Sequence, residues 1–348
     1  MSTPSNPDEM TQADTQVADA PATVALHQDP SVDASLEGDQ VLAAARKRHI
    51  DALGEQPLVA AGPVTGFLRG TASSIRGVWQ YRELLAQLVR KELKSKYKDS
   101  VLGFLWSLLR PLALLLVYYF AIGRFLGAEQ SLRNPGGIKN FAIYIYSGLT
   151  AWSLFGEIVG GGSASIVANG GLIKKIFLPR EVFPLAVIGS ALFNFFIQVG
   201  ILFIATFVAG APPNFTQIVW VFAGVAILLL WGMAWAFLLS AVNVYLRDVQ
   251  YLVEIALLVG FWSCPVVYSW AQVISAVGGT GLENAYLFNP IAIAVFCFQK
   301  AFRLNAPAAE FPPNLGMWVA IAIVIGAVLV WVFQRAFARM QANFAQEL

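Results

Sequence analysis

The chain has 348 residues, of which 57% are hydrophobic and only 13% charged, with 23 Lys and Arg against 21 Asp and Glu. Soluble domains carry about a quarter charged residues, so this balance excludes an ordinary soluble enzyme or nucleic-acid-binding module and indicates a membrane protein. Cys264 and Cys297 have no CxxC spacing, and the two histidines, His27 and His49, fall in the polar N-terminal region. The apolar body is thus left without a disulfide framework and without imidazole for metal or acid–base chemistry.

Residues 1–40 hold eight acids and no Lys or Arg. With few branched or aromatic residues, this stretch cannot bury enough surface to offset its ordering entropy, and it reads as a disordered acidic tail. It lacks the basic start and apolar core of a secretory signal. A short helix is expected over residues 40–52 and a linker over 54–70, so that residues 1–70 make up a cytoplasmic tail and linker.

The segment WQYRELLAQLVRKELKSKYK at residues 79–98 places Tyr81, Leu85, Leu88, Val89, Leu93 and Tyr97 near one helical face. Arg82, Arg90, Lys91, Lys94 and Lys98 take much of the rest. A basic amphipathic helix is expected over residues 75–100, lying in the membrane interface with its cations toward anionic headgroups. A plain topological anchor is the competing role.

Residues 101–348 carry six expected spans. The first, residues 102–126, contains Arg110-Pro111: proline kinks a helix, and an intramembrane arginine needs a partner, water or a snorkelling path to the boundary. The second, residues 141–166, is interrupted by Glu157, which needs a polar neighbour at that depth. Its Gly160-Gly161-Gly162 run suits close helix packing. Between Glu181 and Arg247 there are 65 residues without a charge, enough for two spans and a turn. These are residues 182–209 and 217–245, with the turn at Gly210-Ala211-Pro212-Pro213-Asn214.

The fifth span is expected over residues 252–268, with Glu254 near its start and Pro265 near its end. Residues 269–313 are half apolar but broken by glycines and Asn289-Pro290, and segments such as 291–298 are too short to span. Re-entrant or interfacial helices are expected there. The sixth span, residues 315–337, runs into Arg335 and Arg339 and an amphipathic tail. Twelve Lys and Arg lie on the side of the termini from residue 79 onward, against five on the other. The positive-inside rule then puts both termini in the cytoplasm of an inner-membrane, multi-pass protein. Arg247 and Asp248 are expected to form a local ion pair there.

The sequence YRELLAQLVRKELKSKYKDSVLGFLWSLLRPL at residues 81–112 resembles the N-terminal signature of ABC-2-type permeases that export bacterial polysaccharides. LIKKIFLPREVFPLA at 172–186, VNVYLRDVQYLVEIAL at 242–257, and CPVVYS followed by NPIAIAVFCFQKAF continue the likeness, which covers about residues 81–348. The resemblance implies an all-α, six-span membrane domain with an N-terminal interface helix and gate helices between the last two spans. It implies a homodimer working with two copies of an ATP-binding subunit that holds ATP and Mg. No phosphate-loop pattern G-x-x-x-x-G-K-[ST] occurs in this chain, so the chain itself is not expected to be an enzyme.

By the same likeness the cargo is a polyprenyl-diphosphate-linked glycan such as O-antigen, teichoic acid, capsule or cell-wall galactan. Contact with the ATPase falls to Arg82, Glu83, Arg90, Lys91, Lys94, Lys174, Lys175, Arg180 and Glu181. Arg110 is placed to hold the lipid diphosphate, since a guanidinium matches phosphate oxygens in a fork. Tyr118, Tyr119, Trp152, Phe155, Phe261, Trp262 and Tyr268 are candidates for an aromatic glycan lining, with lipid-facing or interfacial-belt roles as the alternative. Rival classes are a drug-exporting permease of the same superfamily, an ion-coupled transporter using Glu157 and Glu254, and a membrane glycosyltransferase, for which no acidic cluster is seen.

Overall fold

A computed structural model describes residues 67–97, 105–125, 127, 141–175, 178–210, 212–302 and 311–348, together with Lys47. The chain divides into Met1–Ala61 and Gly62–Leu348, and only the second unit is treated below. The acidic tail and the helix expected over residues 40–52 lie outside the described residues, apart from Lys47.

The described residues are helical throughout, with turns between. The chain opens with α1 (Phe67–Gln80) and α2 (Arg82–Tyr97). The sequence assigns residues 54–70 to a linker and places one helix over 79–98. Instead, helix begins at Phe67 and pauses at Tyr81, although Tyr81 N–H still donates to Gly77 O and Leu85 N–H to Tyr81 O. Tertiary contacts of Thr71 and Ser74 with the last long helix hold this first segment, which composition alone does not reveal.

Next come α3 (Leu105–Tyr118), its π-helical continuation Tyr119–Phe125, and α4 (Phe141–Ala168). Pro111 sits inside α3. The wide turn of the continuation brings Gly123 so close to Phe141 that a Cβ there would lie 2.8 Å from the ring. A short turn of helix, α5 (Gly170–Ile173), leads to the long pair α6 (Val182–Val208) and α7 (Phe215–Tyr245). The hairpin between them matches the expected breaker cluster: Gly210 has φ +69°, and Asn214 caps α7 in a reciprocal box with Gln217.

The expected fifth span is cut short. Helix α8 (Val249–Trp262) stops at Trp262, and the chain turns at Cys264-Pro265 against Gly148 of α4, where a Cβ would meet Val266 Cα at 3.1 Å. Three short helices follow, α9 (Trp270–Val277), α10 (Leu282–Leu287) and α11 (Pro290–Ala301), before α12 (Leu315–Met340), a 3-10 turn at Gln341–Asn343 and α13 (Phe344–Glu347). Asn289 caps α11 by accepting from Ile291 N–H and Ala292 N–H. Gln299 Nε2 donates to Pro265 O at 2.5 Å and so ties α11 to the turn after α8.

Among the described residues four helices, α4, α6, α7 and α12, are long and apolar enough to cross a membrane. The most enclosed is α4, packed chiefly on α7 and α6, with α11 and α12 also against α7. The glycine run allows this closeness: a Cβ on Gly162 would stand 2.6 Å from Ala236 Cβ, and one on Gly161 2.9 Å from Val187. The outward faces are apolar, with Phe196, Ile204, Phe207, Val324 and Val328 all exposed. Large apolar surfaces of this kind are stable in lipid rather than water, and the chain is an all-α, multi-pass membrane protein.

Candidate functional site

Two regions gather the residues singled out from the sequence. The first is the end of the bundle formed by α1, α2, the loop after α5 and the C-terminal turn. Here α2 docks on the bundle. It packs along α6, with Leu88 buried and Val89 filling the space left by Gly189, where a Cβ would lie 2.6 Å from Val89 Cγ2.

Two of its lysines turn to protein acceptors. Lys91 Nζ donates to Asn169 Oδ1 at 2.7 Å. Lys96 Nζ pairs with Glu157 Oε2 at 3.1 Å, and the same oxygen accepts from Asn194 Nδ2 at 2.7 Å. Glu157 thus has both a cation and an amide at its depth in α4, the polar surroundings the sequence demands. Lys96 was not among the residues the sequence suggested. Its signal was its place seven residues after Val89, on the stripe that docks on α6.

Arg82, Glu83, Arg90 and Lys94 stay exposed on α2, as do Lys174 and Lys175 beyond α5. Arg82 donates to Trp79 O at 3.5 Å. Arg180 and Glu181 turn inward. Glu181 is 4% exposed and receives Ser74 Oγ and Gln334 Nε2. The Arg180 guanidinium lies 5.5 Å over the Phe344 ring. Burial lowers its pKa from the usual value, opposed by the neighbouring Glu181 and Tyr245, and arginine remains a cation under such a shift. Tyr245 donates to Met340 O at 2.8 Å and anchors the C-terminal turn on α7. Arg247 and Asp248 are exposed and form no ion pair, because the tight turn into α8 leaves both side chains in solvent, where pairing gains little.

The second region is aromatic. Phe261 on α8 stacks on Tyr118 at 5.7 Å and meets Trp152 edge-on at 5.8 Å and Trp262 at 5.5 Å. Trp152 in turn contacts Phe155 at 5.8 Å. Five of the seven rings named from the sequence therefore form one cluster between α3, α4 and α8. Tyr268 adjoins it, its hydroxyl donating to Trp262 O at 3.0 Å and lying 3.2 Å from the Tyr286 hydroxyl. Tyr119 stands apart, beside Phe120 and under Arg124. Below the cluster a cavity of about 390 Å³ runs along α8, walled by Trp152, Phe155, Trp235, Leu252 and Leu257 and ending at Cys264 and Asn289. Glu254 is exposed on the outer face of α8. The backbone of Arg110 belongs to α3, while its side chain lies outside the described residues.

The arrangement combines a polar end rich in cations with an apolar wall of rings. Among the described residues no three His, Cys, Asp or Glu side chains converge as a metal site would require. Comparison with known proteins agrees. A family model described as ABC-2 type transporter matches residues 83–302. The O-antigen export system permease protein RfbA of Myxococcus xanthus is 29% identical over 276 residues, 79% of this chain and 98% of that protein. The RfbA protein of Klebsiella pneumoniae is 24% identical over 270 residues, 76% of this chain and 95% of that protein. With the family match spanning more than half of its length, from α2 to the end of α11, the chain belongs to the ABC-2 type transporter family of membrane permeases.

Proposed function

We propose that this chain is the permease subunit of an ATP-driven exporter of a lipid-linked polysaccharide across the cytoplasmic membrane. The observation that carries this reading is the similarity to O-antigen export permeases over 98% and 95% of their lengths. The sequence has no phosphate loop, so ATP and Mg belong on a separate subunit, two copies of which serve a homodimer of this chain. In this reading α3 with its continuation, α4, α6, α7, α8 with the turn after it, and α12 make six passes. Helices α9 to α11 form re-entrant gate elements at the outer end, and both termini are cytoplasmic. The excess of Lys and Arg on that side supports this orientation.

The ATPase docks on the polar end. Arg82, Glu83, Arg90, Lys94, Lys174 and Lys175 offer their exposed charges to it, while Lys91, Arg180 and Glu181 pass the movement inward. Arg110 holds the lipid diphosphate at entry. The glycan slides past the cluster of Tyr118, Trp152, Phe155, Phe261 and Trp262, with Tyr119 and Tyr268 at its margins, because ring faces match the CH faces of sugars without deep wells. The outer face of α8 exposes Ile255, Leu258 and Val259 beside the single acid Glu254, which suits burial against a second copy. Ion coupling is the weaker reading, since Glu157 is committed to Lys96 and Asn194.

The test is transport of a radiolabelled lipid-linked glycan in inverted membrane vesicles containing the permease and its ATPase. Export that requires hydrolysable ATP, survives collapse of the proton gradient and fails for Arg110→Ala supports the proposal. Transport driven by the gradient without ATP refutes it.

A further inference from the structure

Arg180 and Glu181 are adjacent in the loop that leads into α6, yet their partners come from the two ends of the described chain. The Oε1 atom of Glu181 receives Ser74 Oγ at 3.4 Å and Gln334 Nε2 at 3.5 Å. Gln334 Nε2 also donates to Ser74 Oγ at 2.9 Å. Arg335 donates through Nη2 to the same Ser74 hydroxyl at 3.2 Å and through Nε to Gln334 Oε1 at 2.9 Å. Gln334 and Arg335 are each 9% exposed.

At Ser74 and Gln334 donors and acceptors balance. A serine hydroxyl has one proton and two acceptor sites, and Ser74 gives its proton to Glu181 while accepting from Gln334 and Arg335. The Gln334 amide has two N–H donors, directed to Ser74 and Glu181, and its oxygen accepts from Arg335. A buried network filled in this way fixes one geometry, and removing any member orphans the others. Beside it, the Arg180 guanidinium lies over Phe344, 5.5 Å from the ring centroid. Ser74, Gln334, Arg335 and Phe344 all fall outside residues 83–302, the stretch matched by the family model.

We infer that Ser74, Gln334 and Arg335 are positioning residues that clamp the Arg180–Glu181 corner between α1 and α12, so that movement of the ATPase reaches the bundle through α12. The inference rests on the reading that this loop receives the ATPase. The clamp acts on coupling, not on ATP binding, and its signature is therefore the glycan moved per ATP hydrolysed.

The experiment reconstitutes the permease–ATPase complex in proteoliposomes, normalised for assembled complex, and measures ATP hydrolysis and glycan transfer together for Ser74→Ala, Gln334→Ala, Arg335→Gln and the pair Ser74→Ala/Arg335→Gln. Each single variant is expected to keep hydrolysing ATP while its glycan-to-ATP ratio falls by about fivefold or more, the low end of coupling between sites. The pair falls no further than the worse single variant, and Ser74→Thr, which keeps a hydroxyl, recovers the ratio. Ser74→Ala removes only one oxygen and serves where Arg335→Gln fails to assemble. An unchanged ratio in Ser74→Ala, or losses that multiply in the pair, overturns the clamp. A wild-type complex that hydrolyses ATP but moves no glycan strikes the functional reading instead.

Discussion

Toward the end of the bundle that carries the 174–181 loop, polar side chains from α1, α2, α4, α6, α12 and that loop interlock at hydrogen-bond distance, from Lys96–Glu157–Asn194 to Ser74–Glu181–Gln334–Arg335. Along α8 the contacts are rings and aliphatic groups, a cavity of about 390 Å³ opens beside them between α4, α7 and α8, and the outer face of α8 is exposed. Hydrogen bonds hold one distance and one direction, whereas apolar contacts of similar area tolerate sliding. On the proposed function, the contrast suits a machine that takes up force at a stiff end and lets a polymer or a second copy move against a smooth wall.

The sharpest way to break the stiff end is Leu88→Asp. This places a carboxylate in the cluster that docks α2 on α6, at a cost of several kcal/mol unless the helix detaches. The expected result is loss of the ATP-binding partner on affinity purification while the permease itself stays in the membrane. Gly162→Val attacks the α4–α7 contact that both regions depend on. With Ala236 Cβ only 2.6 Å from the new Cβ, overpacking should cost about 3 kcal/mol, read as a lowered thermal aggregation midpoint in detergent.

Trp152→Ala tests the smooth wall alone. It opens the cavity beside Phe261, and glycan transport is expected to slow severalfold with ATPase association intact; an unchanged rate would remove the ring cluster from the cargo path. Glu157→Gln leaves Asn194 an acceptor but strips Lys96 of its counter-charge. Both partners are about one-third exposed, so the loss is about 1 kcal/mol, measurable as a small midpoint shift. Smallest of all, Lys174→Ala with Lys175→Ala touches exposed side chains and should alter stability by less than about 0.5 kcal/mol, while weakening ATPase capture at raised salt.

Much of this was legible in the sequence because lipid imposes simple rules. The charge-free run from Val182 to Leu246, with its Gly-Ala-Pro-Pro break, located α6 and α7 to within two residues. The glycine run in α4 announced close packing, which Ala236 and Val187 supply. The misreadings arose where tertiary contacts overrule pattern. Pro265 looked like the tail of a span, but Gln299 and Asn289 bond to the carbonyls around it and fold the chain back. The cations of α2 were legible but not their partners, since Lys91 and Lys96 meet Asn169 and Glu157 only in the fold. Ser74 and Gln334 gave no sequence signal and Arg335 only that of a boundary cation, since Ser74 lies 260 residues from Gln334 and they meet only in the fold. Of the seven rings named from the sequence, five meet in one cluster because α3, α4 and α8 pack together, and the exposed cations were legible by charge alone.

The most direct test is affinity purification of the tagged protein from native membranes in mild detergent, with mass spectrometry and an ATPase assay of what is recovered. A stoichiometric ATP-binding subunit, with ATP hydrolysis that disappears when Leu88→Asp displaces α2, is the expected result. A pure permease that carries no ATPase activity under the same conditions would contradict ATP-driven export and return weight to ion coupling through Glu157 and Glu254.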